Sequence, residues 1–231
     1  MKSDESKKSV VILIIFALAV AGTGIYFTYL KKSLQNQMMV KLAEKESNLY
    51  IEKAYLHIRK GDFQKAQQAF DEAMKVYPSN YKVYLALGNL YDLQGNFKAS
   101  QKQFEKLVKL KPDSALGYYN LGNTFFKLGR FDQAVNNYLR AVKLQPSLSE
   151  AYLNIGNIFF LFQDYKAAAE FYKKAISVNQ NSAEGYLNLA NALYGMGQID
   201  LSKENARKAL RLYKEQGRLN MVERIEKDLQ Q

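Results

Sequence analysis

Residues 117–146 read GYYNLGNTFFKLGRFDQAVNNYLRAVKLQP. Two runs of helical length are parted by Gly129 and closed by Pro146. Gly tolerates the positive φ of a tight turn, and Pro cannot continue a helix. The stretch therefore predicts a helix–turn–helix pair. Working outward, the pattern returns at a fixed step of 34 residues. Pro78, Pro112 and Pro146 keep that step, as do Tyr50, Tyr84, Tyr118, Tyr152 and Tyr186. Small residues recur as Ala54, Gly88, Gly122, Gly156 and Ala190, and again as Ala66, Ser100, Ala134, Ala168 and Ser202. Aromatic residues recur as Phe63, Phe97, Phe131 and Tyr165, with Ile199 last. Chance does not hold one register across so many slots.

The register divides residues 47–216 into five units: 47–80, 81–114, 115–148, 149–182 and 183–216. Small residues let two helices approach closely, and the aromatic slots fill the gaps between them. Asp62 and Asn96 follow the turn glycines and can start the next helix. One such unit cannot bury its apolar face, whereas stacked units can, and the open end then needs a polar cap. Residues 217–231 suit that cap, because Leu219 to Leu229 is amphipathic. Lys53 stands where Leu87, Leu121, Ile155 and Leu189 pack, Gln163 replaces a turn glycine, and Gln180 replaces the fourth proline.

A period of 34 residues marks the tetratricopeptide repeat. The chain resembles that family over about three quarters of its length, with Tyr where the family usually has Trp. The resemblance implies an all-α, right-handed superhelical solenoid of about five helix–turn–helix repeats and a capping helix.

Before the repeats, Val10 to Leu30 is a charge-free run of 21 residues. A helix of about 20 apolar residues spans a bilayer core, so we expect one transmembrane helix over 10–30. A basic tail (1–9) would precede it, and a helical juxtamembrane linker (31–46) would follow, with Leu34, Met38 and Leu42 on one face. Ala19-Val20-Ala21 offers the rival reading, a cleaved signal peptide. The flanking lysines nearly balance, with a slight lean to an inside N-terminus and an outside C-terminus. The expected localisation is thus single-pass membrane.

Composition removes several classes of function. With no Cys and one His, thiolate sites, disulfides and multi-histidine metal sites are excluded. No nucleophile–base pair or phosphate loop stands out, so neither an enzyme nor any cofactor or metal is expected. His57 falls in a slot where Tyr91 and Phe125 follow, which reads as packing. The net charge of +11 points to an anionic partner or surface without naming it. The stripes Lys98, Lys102, Lys106, Lys109 and Arg207, Arg211, Lys214, Arg218 read as solvated faces, with anionic lipid headgroups as the sharper alternative. Nucleic acid is a weaker option, since no recognised module is present.

In proteins of this family the first helices of the units line a concave groove that usually holds a peptide. The resemblance places two ladders there. The polar one is Asn89, Asn120, Asn123, Asn154, Asn157, Asn188 and Asn191. Asn offers both donors and an acceptor to a peptide backbone. The apolar one is Ile51, Leu85, Tyr119, Leu153 and Leu187, with Phe126, Phe160 and Tyr194 nearby. The family alternative, in which such Asn bond neighbouring helices, stays open. The chaperone-tail clamp known in this family needs Lys where Ile51, Leu85, Tyr119 and Leu153 stand. Arg59, Lys82 and Lys127 are offset by Glu52, Asp92, Glu150 and Glu184, so that activity is not expected. The implied function is a membrane-anchored, non-catalytic adaptor that holds a peptide segment of a partner protein. It would serve assembly, translocation or quality control of a membrane or envelope complex. The alternatives are a self-assembling structural scaffold, hence a homo-oligomer, and an accessory subunit of an enzyme complex.

Overall fold

The computed structural model of the chain describes residues 24–229, with side chains from Tyr29 onward. Among the described residues there are eleven helices and no strand. They fall into two compact units, one up to Asn80 and one from Tyr81.

The first unit holds α1 (Gly24–Arg59) and α2 (Phe63–Val76). α1 runs without a break from the expected linker into the first repeat. The two helices are tied by a buried polar link. Ser47 Oγ donates to the Ala73 carbonyl at 2.9 Å, and Asn80 Nδ2 donates to Ser47 Oγ at 3.0 Å. The Tyr55 and Phe70 rings meet edge to face at 6.1 Å. His57 is half-buried near the end of α1, where its carbonyl accepts the turn N–H of Asp62 at 2.9 Å.

The second unit holds four helix pairs and a last helix. These are α3 (Tyr81–Leu93) with α4 (Phe97–Leu110), α5 (Ala115–Lys127) with α6 (Phe131–Leu144), α7 (Ser149–Leu161) with α8 (Tyr165–Val178), α9 (Ala183–Gly195) with α10 (Ile199–Glu215), and α11 (Leu219–Leu229). Each helix packs on its neighbours in sequence, which stacks the pairs into a helical solenoid. Phe104, Leu121, Phe125, Tyr138 and Ile155 form one core, and Leu153, Tyr172, Leu189 and Leu193 the next. Val222 and Ile225 of α11 close the stack against Leu212 and Tyr213. The amphipathic capping face expected there thus buries its apolar side.

The turns explain the glycine slot. At five of the ten helix–helix connections a Gly with φ between 67° and 75° follows the first helix. The next residue's N–H reaches back five residues, as Asn96 does to Tyr91 O (2.8 Å) and Arg130 to Phe125 O (2.9 Å). Such closure satisfies carbonyls orphaned at a helix end and requires a left-handed residue. The following side chain then caps the next helix, as Asn96 and Asp164 do from the N–H of Ala99 (3.2 Å) and Ala167 (3.0 Å).

Gln163 makes the same turn at φ 61°. A side chain in that region is strained by roughly 1–2 kcal/mol. Gln163→Gly is therefore expected to stabilise the second unit by about 1 kcal/mol, seen as a rise of a few degrees in the melting midpoint. An unchanged or lower midpoint would contradict this.

The membrane reading is corrected. Residues 10–23 of the expected span lie outside the described residues, as does the tail 1–9. Its last seven residues, Gly24 to Leu30, open α1, which then carries Lys31, Lys32, Lys41, Glu44 and Lys45. A Lys or Asp at a bilayer centre costs about 2.5–3.5 kcal/mol. Among the described residues no helix is long and apolar enough to cross a membrane. Single-pass membrane localisation, its orientation and the lipid-contact role of the basic stripes are accordingly set aside. Lys98, Lys102, Lys106 and Lys109 are exposed, and Lys106 sits 5.4 Å from the Tyr84 ring centre. Lys214 pairs with Glu226 of α11 at 2.6 Å, so part of the second stripe serves the cap.

Candidate functional site

The candidate groove of the second unit is built by α3, α5, α7 and α9. Serines start two of these helices: Ser114 and Ser182 each accept a backbone N–H three residues on at 3.0 Å. α5, α7 and α9 each place a pair of asparagines 3 residues apart on one face, and α3 contributes Asn89 alone.

These asparagines bond one another across repeats. Asn120 Nδ2 approaches Asn89 Oδ1 at 3.5 Å, Asn154 Nδ2 donates to Asn123 Oδ1 at 3.0 Å, and Asn188 Nδ2 donates to Asn157 Oδ1 at 3.1 Å. A tyrosine of the second helix joins at two steps. Tyr138 donates to Asn123 Oδ1 at 2.7 Å and Tyr172 to Asn157 Oδ1 at 2.8 Å. Burial pushes both phenols well above their ordinary pKa, so they remain donors. Asn123 and Asn157 thus spend their carbonyl oxygen on the array. Among the described residues, none accepts from their amide N–H groups.

Sequence reasoning missed the tyrosine partners, although Tyr138 and Tyr172 stand 34 residues apart as a readable signal. Phe104 and Ala206 occupy the same slot in the neighbouring repeats, which masked it.

Two cavities lie along this face. One of about 230 Å³ is lined by Asn89, Asn120, Asn123, Asn154 and Asn157 with Phe126, among others. The second, of about 240 Å³, is lined by Asn157, Asn188 and Asn191 with Phe126, Phe160 and Leu161, among others. Asp92 and Lys127 meet in the first cavity at 2.6 Å, which neutralises both charges there.

The apolar ladder is placed differently from expectation. Leu153 is 6% exposed and sits in the core, and Leu85 and Tyr119 pack against the neighbouring core. Tyr119 leans on Tyr138 with ring centres 5.9 Å apart. Ile51 is buried in the first unit, and Leu187 packs beside the last helices. Leu85, Tyr119 and Leu153 thus support the stack, while Leu187 also lines a cavity beside the last helices. Phe126 and Tyr194 are the exposed aromatics of this face, and Phe160 is half-buried.

Stacked helix pairs with a polar inner face define a helical repeat scaffold. Three tetratricopeptide repeat profiles match the chain, over residues 57–119, 122–163 and 147–216. The chain belongs to the tetratricopeptide repeat family. No curated protein matches it. Among solved structures, the crystal structure of MamA protein is 26% identical, covering 75% of this chain and 95% of that one, with a TM-score of 0.67. PilF of Pseudomonas aeruginosa is 18% identical over 81% of this chain and 91% of that one, with a TM-score of 0.65. YrrB, described as a TPR protein with an unusual peptide-binding site, is 19% identical over 85% and 97%, with a TM-score of 0.63. The last two likenesses speak for the fold alone.

Proposed function

We propose that the chain is a non-catalytic interaction scaffold that holds an extended peptide segment of a partner protein along α3, α5, α7 and α9. The observation that carries this is the division of labour at Asn123 and Asn157. Each Oδ1 is used by the array, while both residues also line a cavity that Phe126 lines. A carboxamide so fixed is a preorganised donor for a peptide carbonyl, and binding to fixed groups costs less ordering. Phe126 and Phe160 supply apolar anchors beside those donors, as interface hot spots commonly do. Near-neutral charge in the first cavity favours backbone recognition over a clamp for acidic tails.

The test selects peptides from a display library against the full chain and measures their Kd. Phe126→Ala with Phe160→Ala is expected to weaken binding about 10- to 100-fold, since anchor truncations cost about 1.4–2.8 kcal/mol. Leu139→Ala, on the second helix of the same repeat and exposed, is expected to change nothing. Peptides insensitive to the two Phe changes but sensitive to Leu139→Ala would overturn the groove reading. Alanine at Asn154 and Asn188 is a poorer probe, because it also removes inter-repeat hydrogen bonds.

A further inference from the structure

The fifth repeat differs from its predecessors at one facing pair. In the second to fourth repeats Gly88, Gly122 and Gly156 lie directly against the rings of Phe104, Tyr138 and Tyr172. In the fifth, the corresponding residues are Ala190 and Ala206. The second helix therefore supplies no ring there, and α9, α10 and α11 leave a cavity of about 490 Å³. Leu187, Ile199 and Ile225 line it on the apolar side with Ala206 at its base, and Asn191, Ser202, Lys203 and Asp228 supply its polar edge. That volume falls within the roughly 300–1,000 Å³ of small-molecule and side-chain sites.

Asn191 is the repeat equivalent of Asn123 and Asn157. Those two accept tyrosine hydroxyls at 2.7 and 2.8 Å. Among the described residues, none hydrogen-bonds the Asn191 side chain. Its repeat position and the space over Ala206 together form an unfilled version of the seat that Tyr138 and Tyr172 fill. We infer that this cavity binds a phenol ring from outside the chain, a tyrosine side chain of a partner segment, which seats over Ala206 and donates its hydroxyl to Asn191 Oδ1. The inference rests on the scaffold reading only for the source of the ring. The driving force is burial of the aromatic face, and the hydroxyl bond selects Tyr over Phe.

The experiment titrates the full chain by NMR with 4-methylphenol, toluene and acetyl-Gly-Tyr-Gly-amide. Saturable binding of 4-methylphenol is expected, and it is expected to vanish in Ala206→Tyr, whose own ring fills the seat. Ala206→Leu serves as a second block should the tyrosine variant lose its helicity. Asn191→Leu is expected to weaken 4-methylphenol about 3- to 10-fold, the worth of one hydrogen bond, while leaving toluene unchanged. No saturable binding to the folded wild-type chain, or binding indifferent to both Ala206 variants, would overturn the site. Equal loss of toluene and 4-methylphenol in Asn191→Leu would overturn the hydroxyl contact. Binding of 4-methylphenol without the tripeptide would overturn a peptide as the source of the ring. All these readouts are independent of Phe126 and Phe160, so the groove reading can fail without them.

Discussion

Tyr138→Ala is expected to destabilise the second unit by about 3–5 kcal/mol, the cost of removing a large aromatic from a closed core. Tyr138 is 1% exposed, its ring lies against Gly122, and it packs with Phe104, Leu121 and Ile155. Removing the ring opens a void between two helix pairs that the short turns prevent from collapsing. Tyr138→Phe keeps the ring and deletes only the hydroxyl bond to Asn123. It is expected to cost about 0.5–1.5 kcal/mol, because Asn123 Oδ1 keeps the donor from Asn154 at 3.0 Å. Denaturant unfolding of both variants, followed by circular dichroism, separates the two contributions. A Phe variant as damaging as the Ala variant would assign the stability to the hydroxyl network instead of the packing.

Gly156→Ala gives the second large effect, and its sign depends on a neighbour. A Cβ at Gly156 would lie 2.5 Å from Cε1 of the Tyr172 ring, so the ring must move. Tyr172 is fully buried and its hydroxyl is bound, so the expected cost is about 1–3 kcal/mol. In a Tyr172→Ala background the clash is absent. There the same change should be neutral or stabilise by up to about 1 kcal/mol, because Ala favours a helix over Gly. The four proteins form a cycle with an expected coupling of about 2 kcal/mol. The chain already carries this compensated pair as Ala190 and Ala206. A Gly156→Ala cost that is equal in both backgrounds would remove the ring as its cause.

The close approach at Gly156 shows how a recurring small residue becomes legible. A Gly inside a helix is unfavourable by itself, so its return at a fixed step signals a tertiary contact. The contact's partner was not legible, because the slot of Tyr138 and Tyr172 holds Phe104 before them and Ala206 after. The turn is the opposite case. Gly61, Gly95, Gly129 and Gly197 announce a positive φ, and even Gln163 adopts it, because the helices on either side fix the turn.

The asparagine ladder divides in the same way. Its spacing placed the residues on one helix face, but both of the expected uses, peptide contact and interhelical bonding, fit that spacing equally. Only the packed structure shows Asn123 receiving Tyr138 from 15 residues on and Asn154 from 31 residues on. In the apolar ladder, Leu153 shares the groove helix yet is buried in the core. A helix in a stack has neighbours on two sides, and a repeat register does not say which side a residue meets.

Residue types and their 34-residue register were enough for the helical repeat fold, the turn positions and the exclusion of thiol and multi-histidine chemistry. Those follow from local backbone preference and from which residue types are present at all. Tertiary structure alone decided which asparagine atoms remain available, which apolar residues are core, and where the missing ring of the fifth repeat leaves a seat. Those depend on contacts between side chains such as the pairs 15 and 31 residues apart in the asparagine ladder, which periodicity can align as equivalents but cannot orient toward one another.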